Sequence, residues 1–182
     1  GLMRSLLFAP ANAPRKMEKA LACGADAVIL DLEDSVPDAE KAAARRLAAQ
    51  ALAAPRDCKV LVRINPLSSP YALADLAAIV GAAPDAIVLP KPDGAEEVAR
   101  LGFYLEALEE RAGLPLGVIV VLRIATETPA SLCSLGSYAS HRRRLIGLTW
   151  GAEDLPAALG AATNRAPGGG YSDVCRLARS LC

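Results

Sequence analysis

The chain has 182 residues, of which 53% are hydrophobic and 22% are charged, and this length and composition predict one domain with a sizeable core. The formal net charge is zero and only 4% of the residues are aromatic, so neither a basic surface nor a base-stacking platform for nucleic acid is indicated. No apolar run reaches the ~18 residues of a membrane span, and five cysteines without a C-x-x-C pair indicate reduced thiols, so we expect a cytoplasmic protein.

Short apolar runs rich in β-branched residues recur along the chain, and each is nearly continuous, which is typical of parallel strands buried on both faces. They are Ser5–Phe8, Ala27–Leu32, Lys59–Ile64, Ala86–Leu89, Gly117–Ile124 and Leu145–Trp150. Ala-rich amphipathic segments predict helices at Pro14–Cys23, Ala39–Ala54, Ala72–Val80, Ala95–Ala112, Pro129–Tyr138, Asp154–Ala162 and Asp173–Cys182. The alternation predicts an α/β fold with a parallel sheet and helices outside it.

Two architectures fit this alternation: an open doubly wound sheet and a TIM (β/α)₈-type barrel, which needs about 250 residues. The dinucleotide site of an open sheet is not indicated, because Ala9–Asn12 rather than G-x-G-x-x-G follows the first strand, and no G-x-x-x-x-G-K-[ST] occurs. The βα units present would fill about three-quarters of a barrel. We therefore predict that residues 1–182 form a single, incomplete β/α-barrel catalytic domain, with two more units beyond this sequence.

Charged and polar side chains follow the predicted strands at their carboxyl ends, where the active groups of parallel α/β proteins gather. In strand order they are Asp31, Glu33, Asp34 and Ser35, then Arg63 and Asn65, then Lys91, then Thr126, Glu127 and Thr128, and finally Glu153 and Asp154. Glu127 and Asp154 follow neighbouring strands, so their carboxylates can converge on one hard cation such as Mg²⁺. The alternatives are that Asp154 caps the next helix and that Glu153 is the ligand.

Arg63 comes at the end of an apolar strand, so its charge must meet a partner or open water. A planar guanidinium suits a substrate carboxylate or an enolate oxygen, and the alternative is a salt bridge to Asp31 or Glu33. We predict that the acidic run 30–36 does not bind the metal itself. It either orients Arg63 and Lys91 or contacts the metal ligands and holds them in place.

Several of these strand ends carry motifs that resemble one family. The motifs occupy residues 4–10, 30–36, 62–65, 88–91, 124–129 and 149–155. In this order they resemble the strand-end motifs of the citrate lyase β-subunit and malyl-CoA lyase family, in the HpcH/HpaI aldolase superfamily. The resemblance implies a (β/α)₈ barrel in a homo-oligomer, a trimer or a hexamer. It also implies a carbon–carbon lyase that converts citryl-, malyl- or citramalyl-type thioesters into an acyl thioester and a 2-oxo acid.

The resemblance also implies roles for individual residues. Glu127 and Asp154 match the ligands of Mg²⁺ or Mn²⁺, Arg63 matches the arginine that binds the substrate carboxylate, and Lys91 matches a lysine at the rim. The family contacts CoA or an acyl carrier protein through its N-terminal region, and the matching region of this chain contains Arg4, Phe8, Pro10, Arg15 and Lys16.

Two features depart from the family pattern. Ala11 stands where the family usually has a glycine, which is expected to tighten or shift the loop that contacts the carrier. The family also draws a catalytic acidic residue from its C-terminal region, and we expect that base to lie beyond residue 182.

Three alternatives stay open. A hydrolase of malyl-CoA-type thioesters can use the same metal-bound enolate. A class II pyruvate aldolase shares the barrel and the metal site, but the only histidine, His141, precedes the sixth strand, on the face of a barrel that serves stability. A non-catalytic paralogue that binds CoA or another ligand is the third, and the set of Glu127, Asp154 and Arg63 argues against it.

Overall fold

The structure is a computed structural model that describes residues 5–90, 94–125 and 145–149. The strands are β1 Leu6–Pro10, β2 Ala27–Asp31, β3 Lys59–Arg63, β4 Ala86–Pro90, β5 Val120–Ala125 and β6 Leu145–Thr149. The helices are α1 Pro14–Ala22, α2 Lys41–Ala53, α3 Ala72–Ile79 and α4 Ala95–Ala112, with 3₁₀ turns at Asp38–Glu40 and Val80–Ala82. The predicted parallel α/β fold is confirmed. The helices predicted at Pro129–Tyr138, Asp154–Ala162 and Asp173–Cys182 lie outside the described residues.

The strands form one parallel sheet in the order β1-β2-β3-β4-β5-β6. A doubly wound sheet reverses its strand order at a switch point, and these strands show no such reversal. The register pairs Pro10 with Asp31 and Asp31 with Arg63, so the first three strands end level with one another. Side chains at these three positions therefore lie side by side at the carboxyl edge of the sheet.

The helices pack on one face of the sheet. Leu30 of β2 and Val62 of β3 belong to the same core cluster as Leu52 of α2 and Leu76 of α3. Because side chains alternate along a strand, the next residues point to the other face. That face is buried too, at Ile29, Leu61 and Val88. Within the described part of the chain, no helix is both long and apolar enough to cross a membrane.

The start of β5 differs from the sequence prediction, which began the strand at Gly117. The N–H of Val118 donates to the carbonyl oxygen of Pro115 at 3.2 Å, and Gly117 has a φ of +82°, so a turn occupies this stretch. A positive φ suits glycine and is incompatible with a strand. By contrast, the helix predicted at Ala95–Ala112 has the observed bounds, and it ends where Gly113 adopts a φ of +71°.

The first test compares two leucines on α3. Leu76 is fully buried and Leu73 is 60% exposed. We expect Leu76→Ala to lower the free energy of unfolding by about 2–5 kcal/mol, because it leaves a cavity between helix and sheet. The matched variant Leu73→Ala is expected to change it by about 0.5 kcal/mol or less. Urea unfolding followed by circular dichroism measures both, and equal losses would contradict this packing.

Candidate active site at the carboxyl edge of the sheet

The last residues of β2 and β3 form a buried, bidentate ion pair. Nε of Arg63 donates to Oδ1 of Asp31, and Nη2 donates to Oδ2, each at 2.8 Å. Asp31 is fully buried and Arg63 is 6% exposed. The ring of Phe8 on β1 stacks near the guanidinium, with its centroid 4.6 Å from Cζ. The salt bridge to Asp31 that the sequence left as an alternative for Arg63 is therefore present.

The turn after β2 completes the hydrogen bonding of Asp31. The N–H of Glu33 donates to Oδ1 at 2.9 Å. The N–H and the hydroxyl of Ser35 donate to Oδ2 at 2.9 and 2.5 Å. With the two bonds from Arg63, these contacts satisfy both carboxylate oxygens. Asp31 is thus fixed from two sides, by the strand next to it and by the turn that follows it.

The electrostatics keep both partners ionised. Burial alone would raise the pKa of Asp31, but the hydrogen bonds and charge of Arg63, with the donors of Ser35 and Glu33, hold that pKa below its ordinary value of 3.8. Burial alone would lower the pKa of Arg63, but Asp31 raises it above its ordinary value. A cation therefore stays at the sheet edge over the whole physiological pH range.

Glu33 is a half-buried carboxyl at the same edge. Its burial and its hydrogen bond with Asp34 raise its pKa to about 7, against the opposing charge of Arg63, while the charges of Asp34 and Asp31 add to the rise. A carboxyl with this pKa exists in both protonation states near neutral pH, which is a property of groups that transfer protons.

A second layer of buried polar groups supports the turn, and of these only Asn65 was predicted from its position after a strand. Nδ2 of Asn65 donates to the carbonyl oxygen of Leu32 at 3.0 Å and to Oδ2 of Asp75 at 2.7 Å. Asp75 is fully buried on α3 and also accepts a hydrogen bond from Nε of Arg45 at 2.7 Å. Lys41 contacts the same turn from α2. The signal that was missed is helical spacing, since Lys41 lies in the stripe of buried residues Lys41, Ala44, Ala48 and Leu52.

Arg123 on β5 is another buried arginine, 9% exposed, and its burial was not predicted from the sequence. The register pairs it with Leu89, whose side chain belongs to the core between sheet and helices. Arg123 therefore faces the helices and not the face that carries Arg63. Among the described residues, no acceptor meets its Nε.

The predicted contact region for a thioester carrier is partly described. Pro10 ends β1 beside Asp31, and Arg15 and Lys16 are exposed on the first turn of α1. At the departure from the family pattern, the N–H of Ala11 donates to the carbonyl oxygen of Asp31 at 2.9 Å. Ala11 does not have a positive φ, so its backbone does not require glycine. Four predicted site residues lie outside the described residues, namely Arg4, Lys91, Glu127 and Asp154.

The described residues do not include the predicted metal ligands. Among them, no group of three or more histidine, cysteine or acidic side chains is arranged to hold a metal ion. The register pairs Ala125 with Thr149, the last residues of β5 and β6. The chain segments that lead to Glu127 and Asp154 therefore start from neighbouring strand ends, at the edge where Arg63 lies.

A parallel sheet with an arginine–carboxylate pair at the carboxyl ends of its strands defines an α/β protein with a polar site at that edge. A family model described as HpcH/HpaI aldolase/citrate lyase matches residues 4–171. The chain belongs to this family, and the resemblance seen in the strand-end motifs is confirmed.

Named relatives have two kinds of activity. Citrate lyase subunit beta of Haemophilus influenzae is 34% identical over 170 residues, which cover 92% of this chain and 57% of that protein. A (3S)-malyl-CoA thioesterase of Cereibacter sphaeroides is 34% identical over 160 residues, or 87% of this chain and 52% of that protein. The chain thus spans about half the length of the curated relatives it matches.

Solved structures of Mycobacterium tuberculosis proteins show the same fold. The citrate lyase beta subunit in complex with oxaloacetate and magnesium is 33% identical, with a TM-score of 0.60, and covers 99% of this chain and 72% of that one. Another structure, with magnesium, acetoacetate and coenzyme A, is 33% identical with a TM-score of 0.59, over 99% of this chain and 60% of that one.

The second test removes the charge of Asp31. We expect Asp31→Asn to lower the free energy of unfolding by about 3–5 kcal/mol, because it leaves the buried guanidinium of Arg63 without its counter-ion. The exposed residue Asp57 provides the matched control, and Asp57→Asn is expected to change stability by about 0.5 kcal/mol or less. Denaturant unfolding at neutral pH measures both, and a similarly small effect of the two variants would argue against a buried pair.

The third test concerns the pH dependence that Glu33 produces. Its carboxyl titrates near 4.5 when unfolded and near 7 when folded, so the folded chain holds an extra proton between these values. The contribution of Glu33 to the free energy of unfolding must therefore fall as the pH rises from 4.5 to 7. Glu33→Gln should remove this fall, so that the variant gains stability relative to the wild type as the pH rises. Unfolding at several pH values checks it, and the exposed Glu18→Gln should follow the wild type.

Proposed function

We propose that the full-length protein is a Mg²⁺-dependent carbon–carbon lyase. It would cleave or form a 3-hydroxy-dicarboxyl thioester of the citryl-, malyl- or citramalyl-CoA type, with an acyl thioester and a 2-oxo acid as the other reactants. The observation that carries the proposal is the buried pair of Arg63 and Asp31 at the carboxyl edge of the sheet, in a chain of the citrate lyase family.

The proposed architecture of the full-length protein is a closed (β/α)₈ barrel. Two observations support it: the strands follow one another without a reversal, and the sheet face opposite the helices is buried. A barrel encloses that face as its packed interior, whereas an open sheet with helices on one side would leave it in water. We also keep the prediction of a homo-oligomer, a trimer or a hexamer.

Arg63 would bind the negatively charged oxygen of the substrate carboxylate or of the thioester enolate. Its Nε and Nη2 are engaged by Asp31, and no described residue accepts a hydrogen bond from Nη1. Asp31 and the ring of Phe8 prevent the guanidinium from turning away, so little reorganisation is required when an anion arrives.

Glu127 and Asp154 would hold the metal. Two carboxylates and open positions for substrate oxygens are the donor set that magnesium prefers, and the M. tuberculosis relative binds magnesium together with oxaloacetate. Magnesium rather than manganese is proposed for that reason. When bound, the ion would supply Lewis-acid polarisation of the 2-oxo acid carbonyl.

The carrier would lie at the start of α1. Arg15 and Lys16 are exposed on its first turn, which leaves the carboxyl edge directly after β1. Exposed cations at a helix N-terminus attract phosphate groups, and CoA carries several. An M. tuberculosis relative is known with coenzyme A bound, so CoA is the carrier proposed first and an acyl carrier protein the second. Arg4, Phe8 and Pro10 complete the proposed contact.

A thioester hydrolase is the second candidate, because a (3S)-malyl-CoA thioesterase is 34% identical to this chain, as is citrate lyase subunit beta of Haemophilus influenzae. Both reactions require the carboxylate of a malyl-type thioester to be held and its thioester to be polarised. They differ in the products, since a lyase releases a 2-oxo acid and a hydrolase releases free CoA with the hydroxy acid intact.

The fourth test assays the full-length gene product with malyl-, citramalyl- and citryl-CoA in the presence of Mg²⁺. We expect release of a 2-oxo acid, loss of this activity in Glu127→Gln, and retention of most of it in the control Glu153→Gln. Arg63→Lys should lower kcat by roughly 10²–10³-fold, since a lysine cannot reproduce the fixed guanidinium. Release of free CoA would identify the hydrolase, and binding of Mg²⁺ and CoA without turnover would favour a non-catalytic role.

A further inference from the structure

Lys41 is a buried lysine, 5% exposed, at the first position of α2. Its Nζ donates to the main-chain carbonyl oxygens of Leu32 and Glu33, each at 3.0 Å, and lies 5.4 Å from the ring centroid of Tyr71. None of the described carboxylates forms an ion pair with it. Burying a charge without a counter-ion is costly, so the contacts that this ammonium makes must matter for the structure around it.

These contacts hold two successive peptide groups at the candidate site, Leu32–Glu33 and Glu33–Asp34. The carbonyl oxygen of Leu32 accepts from Lys41 and also from Nδ2 of Asn65 at 3.0 Å. On the other side of the residue, the N–H of Leu32 donates to the carbonyl oxygen of Arg63 at 2.9 Å. Glu33 adds the second carbonyl oxygen that Lys41 holds. These hydrogen bonds therefore fix the main-chain conformation directly after β2.

The turn that Lys41 holds is the turn that orients Asp31. The N–H groups of Glu33 and Ser35 and the hydroxyl of Ser35 all donate to the carboxylate of Asp31. If the turn moved, Asp31 would lose these donors, and its geometry toward Arg63 would loosen. A continuous set of hydrogen bonds thus runs from the ammonium of Lys41 to the guanidinium of Arg63.

We propose that Lys41 is a positioning residue of the candidate active site, which holds the turn after β2 and thereby fixes Asp31 and the guanidinium of Arg63 for a substrate anion. Lys41 itself contacts no substrate in this scheme. The inference rests on the role proposed for Arg63, but its structural part is testable without any substrate. A lysine that only stabilised the start of α2 would lower stability without a selective effect on the site.

The first measurement is hydrogen exchange in the full-length protein by NMR. Lys41→Met keeps the length of the side chain and removes its donors, and Lys59→Met is the control, because Lys59 is 66% exposed on β3. In Lys41→Met we expect at least tenfold faster exchange at the N–H of Glu33 and of Ser35 and at Nε–H of Arg63. Exchange at the N–H of Ile87, in the core of β4, should stay the same. Unchanged exchange at Arg63, or an equal rise at Ile87, would overturn the proposal.

The second measurement is thioester cleavage by the same variants. We expect kcat/KM to fall at least tenfold in Lys41→Met and to recover in Lys41→Arg, which keeps the charge and the donors. Leu105→Ala, which removes a fully buried side chain of α4 outside this network, should keep kcat/KM within a few-fold of the wild type. Faster exchange at Arg63 with unchanged kcat/KM would refute the positioning role. If the wild type cleaves no thioester, the proposed function fails, and the exchange at Arg63 alone decides whether Lys41 positions it.

Discussion

The ion pair between Arg63 and Asp31 is the interaction on which the surrounding structure depends. Removing two ions from water costs several kcal/mol for each of them, and the attraction between them offsets this cost only when the geometry is excellent. The parallel register supplies that geometry by placing the two residues side by side at the ends of β2 and β3. The turn after β2 supplies the remaining donors to Asp31, so the conformation of this turn is dictated by the need to satisfy a buried carboxylate.

The hydrogen bonds that hold the turn after β2 continue into the helix layer. The turn is held by Lys41 on α2 and by Asn65 after β3, and Asn65 is itself held by Asp75 on α3. Asp75 is fully buried and is paired with Arg45 on α2, at 2.7 Å. Two buried carboxylates, each paired with an arginine, therefore join the loops after β2 and β3 to the helix layer. Polar networks of this kind are rigid when every member has a partner, which is the condition for holding an anion-binding group in place.

The sequence predicted the parts that depend on local pattern and missed those that depend on tertiary contact. Continuous apolar runs located the described strands, and the amphipathic pattern located α4 with its observed bounds, because burial leaves a local signal. The start of β5 was wrong, since apolar character continues through Val118 although a turn occupies that position. Position at a strand end made Asp31 and Glu33 the candidate partners of Arg63. It could not choose between a salt bridge and a substrate contact, because both need the same guanidinium in the same place.

Lys41 and Asp75 were missed for a related physical reason. A charged residue on a predicted helix is normally assigned to solvent, and only the positions of main-chain carbonyl groups reveal that a buried lysine is satisfied. The positions of these carbonyl groups depend on how the loop after β2 packs against α2, and a local sequence pattern does not predict that packing. The spacing of Lys41 with Ala44, Ala48 and Leu52 was the available signal, and it required treating a lysine as part of the buried stripe.

In the proposed function, the described part of the candidate site is compatible with the activities of both kinds of relative. Citrate lyase subunit beta and a malyl-CoA thioesterase are each 34% identical to this chain. Holding a carboxylate or an enolate oxygen at a fixed arginine serves cleavage of a carbon–carbon bond and hydrolysis of a thioester alike. The choice between the two reactions depends on whether a base removes the proton of the substrate hydroxyl or activates a water molecule beside the thioester. In the proposed function, β2 and β3 therefore provide the anion-binding group that both reactions share, and the residues that govern proton transfer determine which bond is broken.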